Sequence, residues 1–167
     1  MRNIIKTILL AILMFSSHTV SARTPVKVTT LKQYIKAACP RSCISDVLLT
    51  TLLKEESQRL RVDYRDFLAI VRVESSFNSK ARNGSNVGLS QVHLKYHKKK
   101  FKGNPYDPRD NVKVGLSIYK ACLTKAKGNR NKAYTCYNGG GDPQYVSRVN
   151  KARNTIINLK GVTKMTS

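Results

Sequence analysis

Acidic side chains are scarce in this chain. Its 167 residues hold nine Asp and Glu against 31 Lys and Arg, for a formal net charge of +22. The only glutamates are Glu55, Glu56 and Glu74. Strand-like alternation, internal repeats and low-complexity segments are also missing. What remains is an all-α pattern, a set of helices with short connections around one core. Beyond Ala22 no apolar run is long enough to span a bilayer as a helix. The Gly139-Gly140-Gly141 run lacks the Lys-Ser/Thr of a phosphate loop, which argues against nucleotide binding of that kind. Cys39, Cys43, Cys122 and Cys136 lack the close pairs of a zinc site, since Cys122 and Cys136 stand well apart.

What is present begins with an export signal. Met1-Arg2-Asn3 and Lys6 give a positive start, Ile8 to Phe15 is a short apolar run, and Val20-Ser21-Ala22 offers small residues for cleavage. Residues 1–22 are therefore expected to be a signal peptide, with a permanent anchor as the competing role. The expected location is periplasmic or secreted, with no membrane span after cleavage. An even number of cysteines in an exported chain suggests disulfides. Closeness in sequence favours Cys39–Cys43 and Cys122–Cys136, although the sequence leaves the pairing open. The positive charge attracts anionic polymers such as nucleic acid, lipid surfaces or an acidic cell wall. Export argues against nucleic acid. The tight cluster Lys98-Lys99-Lys100 reads as a solvated surface.

Residues 23–44 read as a loose arm followed by a short helix, Leu31 to Ala38, stopped at Cys39-Pro40. The folded domain is expected over 45–160, with a tail at 161–167. Ser45 can cap a helix from Asp46 to Leu60. A second run opens at Asp63 or Tyr64 and collapses after Phe77 into a Gly/Asn-rich loop. Gln91 to Phe101 suggests another short helix, and Asn104 to Pro108 a turn. Asp110 is placed to cap a long helix that ends at Gly128-Asn129. A short helix over Asn131 to Tyr137 closes at Asn138-Gly139. Asp142 is placed to cap the last helix, with Pro143 in its first turn. Tyr145, Val149, Ala152 and Ile156 give that helix its apolar stripe.

Within this pattern Glu74 is out of place. Phe67, Ile70, Val71 and Glu74 stand at i, i+3, i+4 and i+7, so the carboxylate shares the core-facing side of its helix. A carboxyl group turned toward apolar surroundings loses hydration and its pKa rises. Such a group can protonate a glycosidic oxygen near neutral pH. On periodicity alone, an ordinary ion pair with a neighbouring Lys or Arg is the rival. Asp107, Asp110 and Asp142 are candidates for a second carboxylate, and all three sit at turn or cap positions. His93 and His97 share a helical spacing, but no third metal ligand accompanies them.

The ordered blocks now resemble a known family. Glu74-Ser75-Ser76-Phe77-Asn78 is similar to the Glu-Ser-x-Phe-Asn signature of lytic transglycosylases of the soluble lysozyme-like type. Gly88-Leu89-Ser90-Gln91 resembles their Gly-Leu-Met-Gln block. Asn104 to Gly115 is similar to their Pro/Asp-rich turn entering a helix at an Asn. Tyr137-Asn138-Gly139-Gly140 resembles Tyr-Asn-Ala-Gly, and Tyr145-Val146-x-x-Val149 the Tyr-Val-x-x-Val opening of the last helix. The resemblance runs from about Ser45 to Ile157.

The resemblance implies a lysozyme-like single domain with a glycan-binding groove. It also implies cleavage of the β-1,4 bond between N-acetylmuramic acid and N-acetylglucosamine in peptidoglycan, with 1,6-anhydromuramic acid formation and no cofactor or metal. Glu74 would be the single catalytic acid/base. Ser75 would support it or its helix end, Ser90 and Gln91 would meet the glycan, Tyr137 would hydrogen-bond near Glu74, and Asn138 would hold the Tyr137 loop. A Cys122–Cys136 bond would help position Tyr137. The short mature length resembles the specialised members that accompany secretion, conjugation or pilus machines, and also some phage enzymes, so such an apparatus is an expected partner. Ser90 departs from the usual Met, which bears on substrate fit. A hydrolase and a non-catalytic glycan-binding or assembly factor are the alternatives.

Overall fold

The computed structural model describes residues 28–39, 43–160 and 162. The expected signal peptide, the first part of the arm and nearly all of the tail lie outside the described residues. Seven α-helices are present among these residues: α1 (Leu31–Ala38), α2 (Asp46–Leu60), α3 (Tyr64–Ser75), α4 (Leu94–His97), α5 (Pro108–Lys125), α6 (Arg130–Asn138) and α7 (Tyr145–Ile157). The predominantly helical fold agrees with the sequence pattern. The loop after α3 also holds a small antiparallel sheet, with β1 (Arg82–Asn83), β2 (Asn86–Val87) and β3 (Val92–His93) in that order. Each strand is two residues long, too short for alternation to register in a sequence. The expected helix over Gln91 to Phe101 is accordingly shorter. β3 takes its start, and only α4 and a 3₁₀ turn, Lys98–Lys100, follow.

Local chemistry explains most helix ends. Ser45 Oγ accepts the Leu48 N–H at 3.3 Å, as the sequence predicted for α2. Asp63 caps α3 through Arg65 N at 3.0 Å. Two expected caps shift. Asp107, not Asp110, caps α5, because Pro108 fills the first helical position and leaves the preceding residue to accept the Asp110 N–H at 3.0 Å. Asp142 does not cap α7 directly. It organises a turn, accepting from Gln144 N at 2.9 Å, and the helix starts later at Tyr145.

α3 lies in the middle of the molecule. Phe67, Leu68, Ala69, Ile70 and Val71 are all fully buried, so the helix is covered on every side rather than along one stripe. α7 and α2 pack against it. One carboxylate crosses this core. Asp66 on α3 is 3% exposed and receives Arg153 Nε of α7 at 2.5 Å and the Tyr119 hydroxyl of α5 at 3.2 Å. Arg130 of α6 stands 3.7 Å away, and the Tyr119 and Tyr134 rings stack with centroids 5.9 Å apart. Four helices thus meet at one buried charge.

The Cys122–Cys136 bond is formed, joining α5 to α6 with an S–S distance of 2.04 Å. The expected Cys39–Cys43 bond is not. Cys39 ends α1 by donating its backbone N–H to Ile35, while an antiparallel bridge to Asn78 draws Cys43 toward the segment after α3. Among the described residues no helix is long and apolar enough to cross a membrane.

Removing Asp66 leaves Arg153 half-buried without its closest partner. Asp66→Ala is expected to cost about 3–5 kcal/mol, read as a lowered denaturation midpoint in urea. A loss of less than about 1 kcal/mol would show that the four-helix junction does not depend on this charge.

Candidate active site

Glu74 occupies the last turn of α3 and is partly buried. The chain turns sharply after it, since Ser76 and Phe77 both have positive φ, 51° and 68°. Non-glycine residues enter that region only when surrounding contacts hold them there. Here the contacts are visible. Phe77 is fully buried with its ring edge-on to Tyr34 at 5.9 Å, and Asn78 bridges to Cys43. Ser75 Oγ donates to the Val71 carbonyl at 3.2 Å, within the last turn of the helix.

Facing this end is a loop fixed by Asn111, which is fully buried. Its Nδ2 donates to the Val87 carbonyl at 3.0 Å and the Pro105 carbonyl at 2.8 Å, and its Oδ1 accepts the Ser90 N–H at 2.8 Å. Gly88 has φ +73°, and a Cβ there would lie 2.2 Å from Asn111 Nδ2. A Cβ at Gly115 would lie 2.5 Å from Ser90 Cβ. Two glycines therefore let the loop settle onto α5.

The sequence-derived residues separate at this point. Ser90, expected to meet the glycan, has its side chain fully buried against Asn111 and Gly115. Only its carbonyl bears on the site, accepting the Tyr137 hydroxyl at 2.8 Å. Tyr137 was expected to hydrogen-bond close to Glu74. Its hydroxyl donates to the Ser90 carbonyl, near enough to Glu74 for that charge to act on it, and its ring stands edge-on to Phe67 at 6.0 Å. Burial of that hydroxyl and the nearby Glu74 carboxylate push the phenol pKa well above its ordinary value. Gln91 Nε2 donates to the Ala81 and Gly88 carbonyls at 3.1 and 3.0 Å, so half of its amide is spent closing the loop. Asn138 Oδ1 accepts the Asp142 N–H at 3.1 Å and holds the turn after Tyr137.

The hydroxyl that reaches Glu74 belongs to Tyr145, at the first position of α7. It donates to Glu74 Oε1 at 2.6 Å, and the residue is 2% exposed. Sequence reasoning placed Tyr145 on an apolar stripe. The available signal was a phenol where the rest of that stripe, Val149, Ala152 and Ile156, is aliphatic.

Burial is the largest influence on Glu74 and pushes its pKa up to about 7. The Tyr145 hydrogen bond and the Arg148 charge pull it down, and the Asp142 charge adds to the rise. Asp142 is held below the ordinary carboxylate range, chiefly by its hydrogen bond from Arg148. Asp107 and Asp110 have no part in these influences. His93 and His97 are not among the groups that act on Glu74, and the His93 ring lies 4.6 Å from Tyr96. Among the described residues no three His, Cys, Asp or Glu side chains group as metal ligands.

Because the Tyr145 bond favours the charged carboxylate, Tyr145→Phe is expected to move the Glu74 pKa higher, by roughly one unit. A carboxyl-carbon NMR titration of both proteins would read it. A downward shift would mean that the phenol acts by some route other than this bond.

No solved structure matches this chain. The family model described as transglycosylase SLT domain matches residues 51–158. Those residues include α3 with Glu74, the Gly88–Gln91 loop, the disulfide, Tyr137 and Tyr145. The chain belongs to the transglycosylase SLT domain family, the lysozyme-like lytic transglycosylases of peptidoglycan.

Proposed function

We propose that Glu74 alone performs both proton transfers in cleavage of the β-1,4 bond from N-acetylmuramic acid to N-acetylglucosamine. The observation that carries this is a carboxyl group buried to a pKa of about 7, with one oxygen fixed by Tyr145. A group so placed is protonated and ionised in comparable amounts near neutrality, which suits an acid that must next be a base. In the first step neutral Glu74 gives its proton to the glycosidic oxygen, and the C1–O bond breaks as the N-acetylglucosamine side leaves. In the second step the Glu74 carboxylate takes the proton of the C6 hydroxyl, and O6 bonds to C1. The product is the 1,6-anhydro sugar, water is not consumed, and Glu74 ends protonated as it began.

Tyr145 is a positioning residue in this scheme. It orients one carboxylate oxygen and keeps the pKa from rising further. Gln91 and Asn138 shape the two loops that flank the carboxyl, with Gln91 closest to the role of a glycan contact. The Cys122–Cys136 bond immediately precedes Tyr137 and steadies its turn. Undiminished activity in Cys122→Ser would remove that role. Export directed by residues 1–22 would put the reaction in the periplasm or outside the cell, where local opening of the wall would serve a secretion, conjugation or pilus apparatus.

One observation favours a second reading. Asp142 is the carboxylate that Glu74 senses, and a hydrolase needs a second carboxylate to activate water. Against it, Asp142 is already engaged by Arg148 and by the backbone of its own turn.

Product analysis decides between them. Digestion of purified peptidoglycan should yield anhydromuramic ends by mass spectrometry, and Glu74→Gln should lower the rate by about 10²–10⁴-fold. Reducing ends in their place would establish hydrolysis, and release by neither protein would point to a glycan-binding or assembly factor. The pH profile adds an independent check. Protonated Glu74 is lost as pH rises past about 7, so kcat/KM should fall about tenfold per unit on the alkaline side.

A further inference from the structure

A concavity lies next to the helices that carry Glu74 and Tyr145. It is an open groove of about 470 Å³ between α1, α3 and α7. Tyr34, Val73 and Ala152 give it apolar surface, and Arg72, Arg148 and Lys151 give it positive charge. Among the described residues no carboxylate lines it. Arg148 joins the two sites. It lies one helical turn after Tyr145, the residue that holds Glu74, and its charge acts on that carboxyl.

The cations here are not equivalent. Arg148 is paired with Asp142. Arg72 and Lys151 are in no ion pair among the described residues. Arg72 is also prearranged. Its guanidinium lies over the Tyr34 ring at 5.7 Å, and Nη1 donates to Ser76 Oγ at 2.9 Å. Its Nε is buried and has no protein acceptor. A guanidinium that is stacked, fixed and short of acceptors is suited to a planar carboxylate. The apolar floor between these cations suits small methyl-bearing groups.

Muramic acid carries such a ligand at its O3 lactyl group, a short peptide with alanyl methyls and free carboxylates. At the cleaved bond this substituent must leave the glycan path close to the acid. We propose that the groove between α1, α3 and α7 binds the carboxylate-bearing peptide stem of the muramic acid at the cleaved bond. Peptide-substituted strands are then the preferred substrate over bare glycan. This rests on the peptidoglycan reading of the Glu74 site.

The test compares the wild type and Lys151→Glu on strands of matched length, with stems intact or removed by an amidase. Lys151 is exposed on α7, so its replacement spares the core. The expected result is a loss of about tenfold in kcat/KM on stem-bearing strands, carried by KM, with no matching loss on stripped strands. Equal changes on both substrates, or none on either, would overturn the inference. Arg72→Lys, which keeps the charge but loses the planar fork, should show the same selectivity in weaker form. A second measurement is independent of turnover. Glu74→Gln protein titrated with N-acetylmuramyl tripeptide should show saturable amide shifts at Arg72 and Lys151, weakened by salt and absent when Lys151→Glu is added. Shifts without any wild-type cleavage would fault the catalytic proposal alone. Cleavage without shifts would fault the groove alone.

Discussion

The desolvation of one carboxyl group governs this molecule. Glu74 projects from the last turn of a helix that the rest of the fold encloses, and the enclosure raises its pKa to about 7. A helix packed along one stripe would leave its terminal side chain partly in water, with an ordinary acidity. α3 instead has neighbours on all sides, with α7 bringing Tyr145 directly over the carboxyl. The buried Asp66 junction fixes how α7 lies on α3, since Arg153 and Tyr145 belong to the same helix. A charge at one end of α3 thus helps set the position of the hydrogen bond at the other.

A second constraint couples three sequence blocks that are distant along the chain. Asn111 binds Val87, Ser90 and Pro105 through both amide protons and its oxygen, which leaves no room for a side chain at Gly88, while Ser90 and Phe67 leave none at Gly115. Ser90 is small enough to sit against Gly115, and its carbonyl then receives Tyr137. The Tyr137 side chain near Glu74 is therefore held by α5, the loop and α6 together. A larger residue at position 90 would have to find room against Gly115 and Phe67, which suggests why this segment of α5 carries a glycine inside a helix at some cost in propensity.

Much of this was legible in the sequence because it is local. Helix positions follow from apolar spacing and from caps such as Ser45, and the i, i+7 relation of Phe67 to Glu74 already placed the carboxyl on the inward face. What escaped was non-local or very short. Two-residue strands leave no alternation to read. Cys39 and Cys43 are close in sequence but are drawn to different partners by α1 and Asn78. Asp66 carried no sequence signal, because its significance lies in Arg153, which is 87 positions away. Tyr137 and Tyr145 were both visible in motifs, yet only the packing of α7 on α3 decides which hydroxyl faces Glu74.

The chain's charge presents an apparent conflict. A formal +22 favours binding to anionic polymer, but a field of that sign stabilises carboxylates and would lower the pKa of Glu74. The conflict is resolved by distance. Exposed charges farther than about 8 Å are largely screened at physiological salt, so the numerous surface lysines count for little at the carboxyl. Arg148 is the cation close enough to pull its pKa down, and Asp142 both engages that guanidinium and adds a small rise of its own. Burial then exceeds what remains. The surface is thereby free to be strongly basic, while the carboxyl of Glu74 keeps its raised pKa.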